Sequence, residues 1–198
     1  MDAYVNECIT GEYDHLGKAI IYGDTDSAYF SAYPMVKEQI EKGELEWTKD
    51  FAIKLYDSIA EKVNESFPDF MKDAFNCPRK NGEIIVGGRE MVASKGLFIT
   101  KKRYALLYYD IEGFRTDTGE SPGKIKAMGL DLKRSDTPKI VQDFLSDVLT
   151  GVLTGNGRDE TLEKVKQFKE EFMLRPAWEK GSPRRANNMT KFQAMEER

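Results

Sequence analysis

The sequence is poor in the residues that build metal clusters and cross-links: 198 residues hold one histidine and two cysteines. Cys8 and Cys77 lie far apart, with no Cys or His at ligand spacing, so both read as reduced thiols. His15, beside a glycine turn, reads as a surface residue rather than a catalytic base. No hydrophobic run approaches the roughly 20 residues of a membrane helix, and the N-terminus lacks the charged-then-apolar pattern of a signal. The chain is therefore expected to stay in the cytoplasm where it is made, with no membrane partner. Positive charge is not in excess either. Lys and Arg number 30 against 34 Asp and Glu, a formal net charge of -4. That excludes a nucleic-acid coat protein, and any DNA contact must come from local basic patches.

What is present suffices for a core. Hydrophobic residues make up 40% and charged residues 32% of the chain, the composition of a polar globular protein rather than a disordered one. Its length suits one domain, or a small domain with an appendage.

Tyr4, Val5, Cys8 and Ile9 share one helical face, which predicts a helix over Ala3–Ile9. Lys18–Tyr22 and Ala28–Ala32 read as two strands of a hairpin joined by Gly23–Ser27. From Thr48 to Phe75 the apolar residues recur at helical spacing. Pro68 is expected to divide that stretch into a long and a shorter helix. Glu83–Val86 and Leu97–Ile111 are β-rich, with a turn at Gly87 and Gly88, and Gly119–Gly123 reads as a loop. Ser135-Asp136-Thr137-Pro138 reads as a helix start with Pro just inside. The stripe Ile140, Val141, Phe144, Leu145, Val148 and Leu149 follows it. Gly155–Gly157 breaks the chain before an amphipathic helix over Leu162–Leu174, and Glu179–Arg198 is polar and basic. Met91, Met128 and the scattered Phe residues are expected in the core. The fold class is α+β up to about Ala127, then mainly helical.

Tyr22-Gly23-Asp24-Thr25-Asp26-Ser27 falls at the predicted strand–turn–strand. Two carboxylates two residues apart in a hairpin turn can converge on a hard cation. Mg²⁺ takes one or two carboxylates and completes its shell with waters and phosphates. A bare Asp-x-Asp is a common turn sequence, because Asp favours turns. The full hexamer is more specific: it resembles motif C of family B DNA polymerases, in the hairpin where that motif belongs. Lys101-Lys102-Arg103-Tyr104, on a predicted strand after Ser94-Lys95-Gly96, is similar to the Lys-Lys-Arg-Tyr element of tailed-phage replicative polymerases. Lys124–Val141, with Lys133, Arg134 and Ser135, resembles their palm-to-thumb transition, and Ala186-Asn187-Asn188 resembles a thumb segment.

The resemblance implies a partial palm over residues 1–126, an antiparallel sheet with the motif C hairpin and packed helices. A partial helical thumb would follow over residues 127–198. It implies Asp26 as a direct ligand of catalytic Mg²⁺ and Asp24 as the accompanying acid. Lys101, Lys102, Arg103, Tyr104, Lys133, Arg134, Ser135, Asn187 and Asn188 would contact primer–template DNA. The strand at Lys101–Tyr104 would lie along the minor groove, whose edges offer acceptors at every base pair. Deoxynucleoside triphosphates would be the second substrate, a sliding clamp is a further candidate partner, and a phage origin would place the chain in the host cytoplasm.

Motif A, with the other catalytic aspartate, and the fingers lysine have no match. Ser31-Ala32-Tyr33-Pro34 superficially resembles motif A, but Ala28 stands where its aspartate belongs. Asp110-Ile111-Glu112 resembles a proofreading-exonuclease motif, yet it directly follows the basic strand and reads as a strand end. The chain is thus expected to be inactive alone and to act with a separate N-terminal half carrying motif A and the fingers. The alternatives are a decayed polymerase remnant and a non-catalytic DNA-binding fragment. A single-chain nuclease lacks candidates for the remaining ligands.

Overall fold

A computed structural model describes Ile9, Gly11, residues 19–119 and residues 121–183. The expected first helix before Ile9, together with Cys8, His15, Asn187 and Asn188, lies outside the described residues. The fold is α+β, as the sequence predicts, with antiparallel pairing in its sheets. Two compact units divide it: residues 1–94 with 108–124, and residues 95–107 with 125–198.

In the first unit, β1 (Ile20–Asp24) pairs antiparallel with β2 (Ser27–Phe30). The helices α1 (Tyr33–Glu41), α2 (Lys49–Phe75) and the short α3 (Arg79–Gly82) follow. Apolar residues of the hairpin and of α2 form the core: Ala19, Ala32, Ile59, Val63 and Phe67 are buried, with Ile20, Phe30, Leu55 and Tyr56 packed against them. Thr48 caps α2 by accepting the Phe51 N–H at 3.1 Å, and left-handed Asn76 ends it. Pro68 does not divide this helix, contrary to expectation; α2 runs through it for 27 residues. An interior proline costs about 3 kcal/mol. Burial of Ala52, Ile59, Val63 and Phe67 offsets that, at about 1.5–3 kcal/mol for each large side chain. The helix α1 was not anticipated, although Pro34 in its first turn is a start signal.

The second sheet contains β3 (Met91–Thr100), β4 (Arg103–Ile111), β5 (Phe114–Arg115) and β6 (Lys124–Met128), with β4 pairing to all three others. Glu83–Val86 is not a strand: Glu83 and Ile84 continue α3 as a turn, and the Ile85 N–H donates back to the Gly82 carbonyl at 3.2 Å. The β-rich run Leu97–Ile111 is two strands, broken by a turn at Lys101 and Lys102. Asp110 sits at the end of β4, as expected. There Glu112 and Gly113, both left-handed at φ 49° and 85°, close the two-residue hairpin in the primed sense that strand twist favours.

In the second unit a 3₁₀ turn (Asp131–Lys133) leads into α4 (Lys139–Thr154), α5 (Arg158–Leu174) and α6 (Ala177–Lys180). Pro138 precedes the first turn of α4 rather than lying inside it. Ala105, Leu107, Leu149 and Leu153 form this unit's core. Phe144 of α4 stacks on Phe168 of α5 with ring centroids 3.8 Å apart. Three residues expected in the core are exposed instead: Phe75, Phe114 and Met128. Each stands next to or at the end of an element, where its apolar character gains no packed face.

Candidate metal-binding hairpin and basic surface

The β1–β2 register pairs Asp24 with Ser27, which leaves Thr25 and Asp26 as a two-residue turn. Ile21 is an extra residue bulged out between the Ile20 and Tyr22 pairs, and such a bulge sharpens local twist. The turn is organised by Asp24. Its Oδ1 accepts the Thr25 N–H at 3.0 Å and the Thr25 hydroxyl at 3.4 Å, and its Oδ2 accepts the Tyr22 hydroxyl at 3.3 Å. Asp26 is exposed. Its carboxylate has no hydrogen-bond or ion-pair partner among the described residues. The two aspartates of one motif thus stand in different states, one engaged within the turn and one open.

The base of the hairpin is fixed by a residue that sequence reasoning missed. Tyr56, on α2, accepts the Ala32 N–H at 3.1 Å and donates to the Phe30 carbonyl at 3.4 Å. Its ring packs on Phe30 at 5.4 Å. Burial pushes the Tyr56 phenol up from its ordinary pKa, so it remains a neutral donor and acceptor. The only sequence signal was an aromatic on the apolar face of a long helix, which does not reveal a polar role.

An open carboxylate at an exposed turn suits a hard cation such as Mg²⁺, which prefers oxygen donors. Among the described residues no group of three or more His, Cys, Asp or Glu side chains is arranged to hold a metal ion. Asp24 and Asp26 therefore fit part of a Mg²⁺ shell and not the whole of one.

The predicted DNA-contacting residues of the second unit divide by exposure. Lys101, Lys102 and Arg103 are exposed, the two lysines in the β3–β4 turn and not on a strand as expected. Lys102 takes a left-handed conformation at φ 60°. Arg103 Nε donates to the Gly129 carbonyl at 3.1 Å. Gly129 itself could not carry a side chain, since a Cβ there would lie 2.1 Å from the Lys102 carbonyl oxygen and its φ is 64°. That clamp was also missed, and the Met128-Gly129-Leu130 step was its signal. Tyr104 differs from its neighbours: it is 2% exposed and stacks on Phe98 at 5.7 Å. Its ring belongs to the sheet interior, because β4 is buried on both faces.

Lys133 and Ser135 are exposed, and Lys133 has no ion-pair partner among the described residues. Arg134 makes a two-pronged pair with Asp136, Nε to Oδ1 at 3.0 Å and Nη2 to Oδ2 at 2.8 Å. That pair holds the Asp136 carboxyl below its usual range and lifts the guanidinium. A phosphate approaching Arg134 must displace an internal carboxylate.

No family-level sequence profile matches the chain. Individual relatives do. It is 29% identical to the DNA-directed DNA polymerase of Escherichia phage RB69 over 77% of this chain and 17% of the relative. With the DNA-directed DNA polymerase of Enterobacteria phage T4 the identity is 27%, over 87% of the chain and 19% of the relative. DNA polymerase 1 of Pyrococcus abyssi is 24% identical over 83% of the chain and 16% of its own length. The chain therefore spans less than a fifth of the length of these relatives. Over 77–87% of its own residues, and at 24–29% identity, it is similar to family B DNA polymerases, as its motifs indicate.

Proposed function

We propose that the chain supplies the motif C portion of the nucleotidyl-transfer site of a DNA-directed DNA polymerase, together with part of its grip on primer–template DNA. The observation that carries this reading is the open Asp26 carboxylate at the tip of the Tyr-Gly-Asp-Thr-Asp-Ser hairpin, in a chain similar to DNA polymerases.

Asp26 would hold Mg²⁺ directly and Asp24 would stand beside it. Bound there, Mg²⁺ would supply a lowered pKa for an attacking hydroxyl and charge neutralisation for a triphosphate. The chain's own task is placement. Asp24 fixes the turn through Tyr22 and Thr25, and Tyr56 fixes the base of the hairpin, so Asp26 is held rather than searching. Lys101, Lys102 and Arg103 form a cationic turn suited to DNA phosphates and minor-groove acceptors. Lys133, Arg134, Ser135, Asn187 and Asn188 would supply further contacts to the DNA on this reading. Tyr104 serves as a support for the cationic turn, since its ring is buried.

The primer terminus and a deoxynucleoside triphosphate are the substrates on this reading. A separate N-terminal polymerase half is the partner that supplies motif A and the fingers, and a sliding clamp is a candidate accessory. The test is primer extension with Mg²⁺ and deoxynucleotides, using the chain alone, the chain mixed with the matching N-terminal half, and Asp26→Ala in the same mixture. Extension is expected only in the mixture and is abolished by the substitution. A co-purifying mixture without extension sinks the catalytic reading and leaves a DNA-binding role or a remnant.

A further inference from the structure

Residues 83–90 of the first unit lie between α3 and β3 and take no part in the proposed chemistry. This stretch is pinned along α2. At its start Gly82 meets α2 so closely that a Cβ there would lie 2.5 Å from the Pro68 Cα. Further on, the Asn64 side-chain amide pairs with Gly87 as a neighbouring strand would. Its Nδ2 donates to the Gly87 carbonyl at 3.0 Å, and the Gly87 N–H donates to its Oδ1 at 2.7 Å. Arg89 then joins Asp57 of α2 and Asp110 by ion pairs. The contacts at residues 82, 87 and 89 meet α2 at 68, 64 and 57, so the strip runs opposite to the helix.

Backbone polar groups alternate between the two edges of an extended chain. Gly87 directs both of its groups to Asn64. The N–H and C=O groups of Val86 and Gly88, on either side of it, meet no partner among the described residues. The apolar side chains beside this edge are also open: Ile84, Ile85 and Val86 are 78%, 42% and 75% exposed. Three consecutive exposed β-branched residues are out of place on a soluble surface unless something covers them. An open edge flanked by apolar side chains is what strand addition requires.

We infer that the Val86–Gly88 edge is a docking site for an added strand, supplied by the N-terminal polymerase half and carrying apolar residues that cover Ile84 and Val86. The inference rests on the proposed reading that the chain acts with such a half. The relatives provide the argument for that occupant: more than four-fifths of their length has no counterpart in this chain.

The experiment mixes the purified chain with the matching N-terminal half and follows three readouts: co-purification affinity, amide hydrogen exchange, and primer extension. Mixing should slow exchange at Val86 and Gly88 at least tenfold. The double substitution Ile84→Asp/Val86→Asp should weaken association at least tenfold while leaving the melting of the isolated chain unchanged, because both side chains already face solvent. Asp26→Ala should lose extension and keep association. Unchanged exchange, unchanged affinity of the double variant, or no association at all overturns the docking site. Extension that survives with the strip uninvolved overturns it while sparing the polymerase reading. Association through the strip without any extension does the reverse. Self-association of the chain alone, lost in the double variant, would replace the proposed occupant by a second copy. Should the double variant fail to fold, the exchange measurement on the unaltered chain decides.

Discussion

Replacing Tyr56 by Phe removes one oxygen from the support of the hairpin and leaves the rest of the side chain in place. The ring keeps its contact with Phe30 at 5.4 Å. Two hydrogen bonds are lost, one accepted from Ala32 at 3.1 Å and one donated to Phe30 at 3.4 Å. The second is long and contributes little. The first matters because Ala32 is 0% exposed. Its N–H cannot turn to water, so the cost is that of a buried donor left unsatisfied, about 1–3 kcal/mol. With a urea slope of about 2 kcal/mol/M, the unfolding midpoint should fall by roughly 0.5–1.5 M. Exchange of the Ala32 amide should quicken before global unfolding, since the opening is local.

The functional consequence follows from the same geometry. Phe30 ends the strand that leads back to Asp26, so a loosened base lets the turn wander. Displacement of a reacting group by about 1 Å can cost about a hundredfold in rate. On the proposed reading, Tyr56→Phe in the mixture with the N-terminal half should therefore lower the extension rate by roughly tenfold or more, with little change in DNA affinity. A variant with wild-type midpoint and an equally protected Ala32 amide would refute the support assigned to Tyr56. Loss of stability with undiminished extension would leave the support standing and refute its link to Asp26.

Gly129→Ala forces a Cβ to within 2.1 Å of the Lys102 carbonyl at a φ of 64°. It should cost about 2–4 kcal/mol from left-handed strain plus overpacking, read in a urea melt, and the displaced lysine turn should bind duplex DNA more weakly. Arg89→Ala strands the Asp110 carboxylate, which is 1% exposed and, among the described residues, otherwise accepts only the Gly113 N–H at 3.2 Å. A loss of about 3–5 kcal/mol is expected, and Arg89→Ala/Asp110→Ala should be less destabilised than the sum of its single variants. Asp117 is held well below the usual carboxylate range by Arg115 and then Lys49. A depressed folded pKa gives stability that is present above about pH 4 and lost as pH falls below it. Melting temperatures between pH 5 and 2 should thus fall less steeply in Asp117→Asn than in the unaltered chain. Tyr109 is pushed up to about 12, first by burial; an ultraviolet titration should show one tyrosinate that appears only near that pH and vanishes in Tyr109→Phe.

The hairpin was legible because its signals agree: β-rich flanks, a glycine–aspartate turn and a hexamer of high specificity all indicate one structure. The strand at Lys101–Tyr104 was misread because a basic tetrapeptide says nothing about where a turn falls. The run Tyr104-Ala105-Leu106-Leu107-Tyr108-Tyr109 did carry the correction, since six apolar or aromatic residues in sequence mark a strand buried on both faces. That pattern places Tyr104 inside. Pro68 was overrated for the opposite reason: local chemistry argued for a break, and burial along α2 outweighed it. The partners of Tyr56, Gly129 and Arg89 were not legible. Each acts on a partner 21 to 27 residues away, and one sequence holds no record of which distant groups meet.

The unequal states of Asp24 and Asp26 bear on the chemistry more than their shared motif does. A carboxylate has about four lone-pair positions. Asp24 uses three of them on Tyr22 and Thr25, so a cation bound there must first compete with the bonds that shape the turn. Asp26 has no such competitor among the described residues. The order of roles on the proposed reading therefore follows from occupancy: the open acid takes the ion, and the engaged acid keeps the open one in position. Two carboxylates still leave most of an octahedral shell to be filled. In a polymerase those positions would fall to water, the triphosphate and the missing motif A aspartate. On the proposed reading the same hairpin is thus a prepared ligand within a larger assembly, and two carboxylates are an incomplete metal site by themselves.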